Sequence, residues 1–452
     1  MSKSLSIEID WIHPPDCADP VEQRTWACVR VHAGGRAVTR VWDRGVNAER
    51  VSLFLPAFPL ARWMVENWWP LLHEPSPREE LTAWASATTP HQRDWIRRHC
   101  MRAAEPGLLL PRAYLFSDGE RVRIRWFADE ASTFPHMPAH FLEEGSIALT
   151  RSQVEDAFTE FLNQVEERLD ECDDVDARAW IEDWEAIKAV AVDVEESTFC
   201  SAAGRLGLNP HRTEEWPPEL AAWIEDEIGD ELEDSIAMDL FECMKIHTSS
   251  DVDRLARYWR WTRDARRDEQ LEGPPTTTPP AGATESSPAR EGYRLAREAR
   301  RRLGPGRLDE IQRVDARHGN PSWTTITRSD FPGAELRGLV GWRGGSPLLI
   351  APKLATDDSR RFLEARALFL SAHAGRTGER LITKSHTYDQ QASRAFAAEL
   401  LAPQEELADA VAGADWIEHD APVIRELARA YGVSTRVIEY QFQNSGIEVA
   451  VD

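Results

Sequence analysis

The chain has 452 residues, of which 42% are hydrophobic and 29% charged, and its formal net charge is −24. That length implies two to four domains at about 100–200 residues each. So acidic a surface repels nucleic acid and anionic lipid, and no apolar run reaches the roughly 20 residues that span a bilayer.

The six cysteines (Cys17, Cys28, Cys100, Cys172, Cys200 and Cys243) include no CxxC pair. Disulfides and a cysteine zinc knuckle are therefore not expected, and a reducing cytoplasm is the expected location. The opening "MSKSLSIEIDWIHPP" alternates and carries no apolar export core.

Residues 1–150 read as a mixed α/β, tryptophan-rich domain. Leu5, Ile7, Ile9 and Trp11 share one face with period two, which predicts a half-buried strand. "ACVRVHAGGRAVTRVW" predicts a hairpin turning at Gly34-Gly35, and "AYLFSDGERVRIRW" a second one turning at Asp118-Gly119. Between them "PLARWMVENWWPLLHEP" predicts a helix carrying Trp63, Trp68 and Trp69. Nine of the 18 tryptophans fall within residues 1–126; clustered indoles build either a core or a ligand cage, and the core is expected. In "HMPAH" the spacing of His136 and His140 suits a metal helix, but Pro138 argues against one.

Residues 151–270 read as an acidic helical domain. Residues 151–250 hold 28 acidic and 7 basic side chains, a net of −21. Such a face is either a solvated helical surface or a dock for a basic partner. Val154, Phe158, Leu162, Val165 and Leu169 fall at helical spacing, and "AWIEDWEAIKAVAVDVEE" continues in the same style. Arg254, Arg257, Arg260 and Arg263 then alternate with Tyr258, Trp259 and Trp261. That pattern can bind single strands, but beside an acidic block a structural role is expected. The stretch 271–289, "EGPPTTTPPAGATESSPA" at its heart, reads as a disordered linker.

Beyond it, "GYRLAREARRRLG" predicts a helix and "GLVGWRGGSPLLIAP" a strand pair turning at Gly344-Gly345. "SRRFLEARALFLSAH" and "DQQASRAFAAELLAP" predict two more helices, and "LARAYGVS" has the spacing of a helix-turn-helix. No phosphate-binding glycine loop and no GxSxG is found.

In order, "RFLEARAL", "QQASRAFAAELLAP" and "LARAYGVS" resemble the ImmA/IrrE family of zinc metallopeptidases. That family reads roughly RF-x-x-AHELGH, E-x-x-AN-x-FAAELLMP and LA-x-x-F-GVS, and the likeness covers about residues 290–450. An HExxH helix sets two histidines on one face for zinc, with the glutamate as general base. Alignment on Arg361-Phe362 puts those three positions at Arg366, Ala367 and Leu370, and the family's carboxylate ligand at Gln390. All four lack the chemistry, since arginine keeps its proton and alanine and leucine offer no donor. Zinc and catalysis are therefore expected to be absent, and no other cofactor is implied.

The elements together make an α+β chain, and the resemblance implies that it ends in a zincin-like, mostly helical domain with a small sheet and a helix-turn-helix-like tail, at 290–452. Arg366, Ala367, Leu370, Gln390 and Glu399 mark its former site as a binding cleft. Three readings of Arg366 stand: pairing with Glu399 or Glu364, receiving an acidic group from a ligand, or lying on the helix surface. The function implied is a non-catalytic bacterial regulator that binds a protein, either a basic surface or a helix-turn-helix regulator. Its setting would be stress response, phage regulation or antiphage defence. Two alternatives are an active zinc endopeptidase with displaced ligands such as His373 and His386, and a DNA-binding regulator, which the charge disfavours.

Overall fold

Alternation and turn chemistry set the N-terminal strands, as a computed structural model shows for residues 4–14, 19–77, 89–130, 137–272, 287–303, 324–354, 356–372, 378–411, 416–419 and 421–450. The chain forms two units, one of residues 1–232 and 245–249, the other of residues 233–244 and 250–452. Both mix helices with small sheets, so the chain is α+β. His136, His373 and residues 273–286 of the expected linker lie outside the described residues.

In the first unit β1 (Leu5–Trp11) buries Leu5 and Ile7, and α1 (Pro20–Arg24) is capped by the Asp19 carboxylate. β2 (Trp26–Ala33) turns through Gly34 and Gly35, with φ of 60° and 79°, into β3 (Arg36–Ala37). β4 (Val41–Asp43), β5 (Ala48–Arg50) and β6 (Leu53–Pro56) follow. β1, β3 and β6 all pair antiparallel with β2.

The tryptophan-rich segment expected as one helix is two, α2 (Phe58–Glu66) and α3 (Trp68–His73). Asn67 breaks it, because its backbone leaves helical geometry at ψ 16° while its side-chain amide donates to the Trp63 carbonyl. Next come α4 (Pro90–His99), β7 (Arg112–Ser117), β8 (Arg121–Phe127), β9 (Ala139–Phe141) and β10 (Gly145–Thr150). They complete two antiparallel three-stranded sheets, β10-β8-β7 and β5-β4-β9. Helices α5 (Arg151–Leu169), α6 (Val175–Val190), α7 (Val194–Arg205) and α8 (Leu220–Trp223) end the unit.

All five apolar positions expected along α5 are buried. The run from α6 is interrupted, since the Asp193 carboxylate caps α7 on the Glu195 and Glu196 amides. Trp63, Trp68, Trp69, Trp95 and Trp126 are buried, so these indoles build core rather than a cage.

The second unit begins with α9 (Ser235–Cys243) and α10 (Ser249–Asp268). Tyr258, Trp259 and Trp261 are buried along α10, which withdraws them from stacking on bases. Then follow α11 (Pro288–Leu303), β11 (Thr324–Arg328), β12 (Leu336–Arg343), β13 (Ser346–Pro352), α12 (Asp357–Ala372), β14 (Arg380–Thr383) and α13 (Tyr388–Leu401). The strands make one sheet in the order β11-β13-β12-β14, in which β11 runs parallel to β13 and the other pairings are antiparallel. The tail comprises α14 (Gln404–Ala410), β15 (Trp416–Glu418), α15 (Pro422–Tyr431), α16 (Thr435–Asn444) and β16 (Glu448–Ala450). α15 and α16 meet at Gly432, where φ is 62°.

Gly292 lets α11 lie against α13, because a Cβ there would sit 2.4 Å from the Ala392 carbonyl oxygen. Gly292→Val should force the helices apart and cost about 1–3 kcal/mol, read as a lower denaturation midpoint. An unchanged midpoint would show that the contact yields without strain.

Among the described residues no helix is long and apolar enough to cross a membrane, and Cys28, Cys100, Cys172 and Cys200 form no disulfide.

Candidate functional site

Leu363, Arg366, Ala367 and Leu370 recur at helical spacing along α12, and that spacing turns all four inward. Arg366 is only 6% exposed, while Ala367 and Leu370 belong to the apolar core beneath the sheet. The surface reading of Arg366 therefore fails.

Its guanidinium joins α12 to α13 and β14. Nε donates to Ser393 Oγ at 3.1 Å, and Nη2 donates to the Thr383 carbonyl at 3.1 Å and to Gln390 Oε1 at 2.7 Å. None of these acceptors is a carboxylate. Burial, then repulsion from Arg394 and Arg337, pushes the Arg366 pKa well down. Guanidinium starts high enough, above about 12, to keep its charge at neutral pH.

Gln390 is fixed by the backbone of β14. Its Oε1 accepts from the Thr383 amide at 3.0 Å and its Nε2 donates to the Leu381 carbonyl at 2.7 Å. An ionised carboxylate accepts but does not donate, so a glutamate at 390 would face the Leu381 carbonyl without a proton to share. The neutral amide is what this strand requires.

Glu399 lies nine residues further along α13, about 13.5 Å at ~1.5 Å per residue. It does not join Arg366. It accepts from Arg297 Nε at 2.7 Å, from Gln441 Nε2 at 3.1 Å and from the Gln404 amide at 3.1 Å. It thereby ties α13 to α11, α14 and the tail. Glu364 is occupied by Thr325 Oγ1 and Arg360. The expected pairing of Arg366 with Glu399 or Glu364 is thus overturned: both carboxylates are bound by other groups.

The five positions read from the sequence divide accordingly. Arg366 and Gln390 meet, Ala367 and Leu370 line the apolar floor on the same helix face, and Glu399 is a structural anchor. Ser393 and Thr383 went unread, although Ser393 shares a helix face with Gln390 three residues earlier. His386, near in sequence, is mostly buried and its pKa falls to about 4, through burial and then Arg394. Its Nδ1 is enclosed without a hydrogen-bond partner. Among the described residues no group of three or more His, Cys, Asp or Glu side chains is arranged to hold a metal ion.

The first unit holds an ionic cluster that no sequence spacing announced. Glu74, fully buried after α3, accepts from Arg98 through both oxygens at 3.0 Å, from Lys245 Nζ at 3.0 Å, and pairs with His99 Nε2 at 3.0 Å. Burial raises its pKa, but Arg98, Lys245 and His99 more than offset that and hold the carboxyl well below the usual range. His91 and His247 meet beside it at 3.2 Å. Gly207, at φ +79°, gives the carboxylate room, since a Cβ there would come within 2.7 Å of it.

Compared with known proteins, the chain matches no family model and no curated sequence.

Proposed function

We propose that the chain is a non-catalytic regulatory protein whose C-terminal unit is a peptidase-like, ImmA/IrrE-type domain of zincin-like fold that binds a protein partner in the bacterial cytoplasm. One observation carries this reading. Arg366 stands where the resemblance puts the first zinc histidine, and its guanidinium is spent on Ser393, Thr383 and Gln390. A buried cation held there competes with a metal ion for the same ground. Gln390, which stands for the carboxylate ligand, is committed to β14.

The acidic surface of the other unit supports a basic protein as the partner. Val192 and Val194 stand exposed among Asp193, Glu195 and Glu196, which offers apolar contact inside a negative field. Stress response, phage regulation or antiphage defence is the setting the resemblance implies.

Purified protein should contain far less than one zinc per chain by elemental analysis and show no chelator-sensitive cleavage of helix-turn-helix regulators. Stoichiometric zinc, removed by chelator together with a proteolytic activity, would overturn the proposal in favour of an active endopeptidase.

A further inference from the structure

Among its described residues the second unit buries two arginines, and it treats them differently. Arg380, 1% exposed, is held by two carboxylates, with Asp239 on Nε and Nη2 at 2.9 and 3.0 Å and Asp389 on Nη1 at 2.9 Å. Arg366 is buried almost as deeply, yet all three of its acceptors are neutral. Its two Nη1 protons have no acceptor among the described residues. Buried charges in folded proteins are normally paired, because an isolated one loses its hydration without compensation.

Two further arginines lie close by. Arg394 donates through Nη2 to the Ser385 carbonyl at 3.0 Å, and Arg366 donates to the Thr383 carbonyl two residues earlier. One short segment, Thr383–Thr387, is therefore gripped by both arginines. His386 sits in it with Nδ1 enclosed and unpartnered. Arg337, exposed on β12, lies at the irregularity between the Leu336–Thr383 and Gly338–Ile382 pairs, beside the start of this segment.

We propose that Arg366 Nη1, Arg394, Arg337 and His386 Nδ1 form a binding site for a single oxyanion, a carboxylate or a phosphate. A guanidinium edge suits such a group because its N–H bonds match the spacing of two oxygens. The oxyanion would supply the negative charge that the protein gives Arg380 but withholds from Arg366. The source of the anion, a free small molecule or an acidic side chain of a bound protein, rests on the proposed function. The anion site itself does not.

The test uses the full chain with inorganic phosphate and with acetate as probes, each against sodium chloride at equal ionic strength. Thermal unfolding and isothermal titration are both read. The expected result is a rise in Tm and saturable binding with the oxyanions beyond that with chloride. Arg337→Gln/Arg394→Gln, which leaves Arg366 and its three hydrogen bonds in place, should weaken binding at least fivefold. Arg366→Met should abolish it; should that chain not fold, the double variant decides. Equal effects of oxyanion and chloride, or undiminished binding by the double variant, would overturn the site. Zinc-dependent proteolysis would sink the proposed function and leave this binding result standing. Protection by phosphate or acetate alone marks a small-molecule site. Competition of the probes with an acidic peptide marks a protein ligand.

Discussion

Glu74→Ala should lower the stability of the first unit by about 3–5 kcal/mol, the usual loss when one member of a buried ionic cluster is removed. The reason is what remains. Arg98 and Lys245 keep their charges with their shared acceptor gone, and His99, which also contacts the Leu115 carbonyl, loses its Nε2 partner. Glu74→Gln separates charge from shape and should cost less, since an amide oxygen can still accept. Denaturant unfolding followed by tryptophan fluorescence measures both, and a loss under about 1 kcal/mol for alanine would mean that the cluster is hydrated in solution.

The same cluster, with His73 next to Glu74 in the chain, fixes a pH dependence with two parts. The depressed pKa of Glu74 makes its stabilisation complete above its unfolded value of about 4.3 and lost as pH falls through the folded one. Burial lowers the pKa of His73 and of His99. The unfolded chain therefore takes up protons below about pH 6.5 that the folded chain refuses. Stability should fall from there downward, by up to about 1.4 kcal/mol per pH unit for each fully buried histidine. His91, at about 4, adds to the same slope.

The strands were legible because period-two alternation and glycine pairs leave few other ways to arrange the chain. Gly34-Gly35, Asp118-Gly119 and Gly344-Gly345 all sit at antiparallel turns. The break at Asn67 was not legible, since the apolar pattern runs straight through it and only a local side-chain bond to Trp63 decides. Burial of Arg366 was not legible, since a place on the helix surface stood open for it, and only the fold turns it inward with Leu363 and Leu370. Nor were its partners, because Thr383 contributes only a backbone carbonyl and side-chain identity carries no signal for that. The Glu74 cluster draws on positions from 74 to 245, a separation that local pattern cannot register.

Asp239→Ala should be as damaging to the second unit as Glu74→Ala is to the first, about 3–5 kcal/mol. Asp239 belongs by sequence to the acidic block, where one more carboxylate looks like surface charge. In the fold it is 1% exposed, holds Arg380 through both oxygens and accepts the Leu381 amide at 2.9 Å. Removing it takes away the acceptor of Arg380 Nε and Nη2 and of the Leu381 amide. Replacing both partners distinguishes the pair's net worth from the penalty of orphaning one charge. Asp239→Leu/Arg380→Met should therefore recover a large part of the single-variant loss, though not all, because the Leu381 amide and Asp389 still lack partners. If the double variant is instead less stable than either single one, orphaning one charge is not what costs the single variants their stability. Arg380 would then be structurally indispensable, and the lack of such a carboxylate on Arg366 among the described residues would stand out more sharply as the mark of a site that takes its anion from outside.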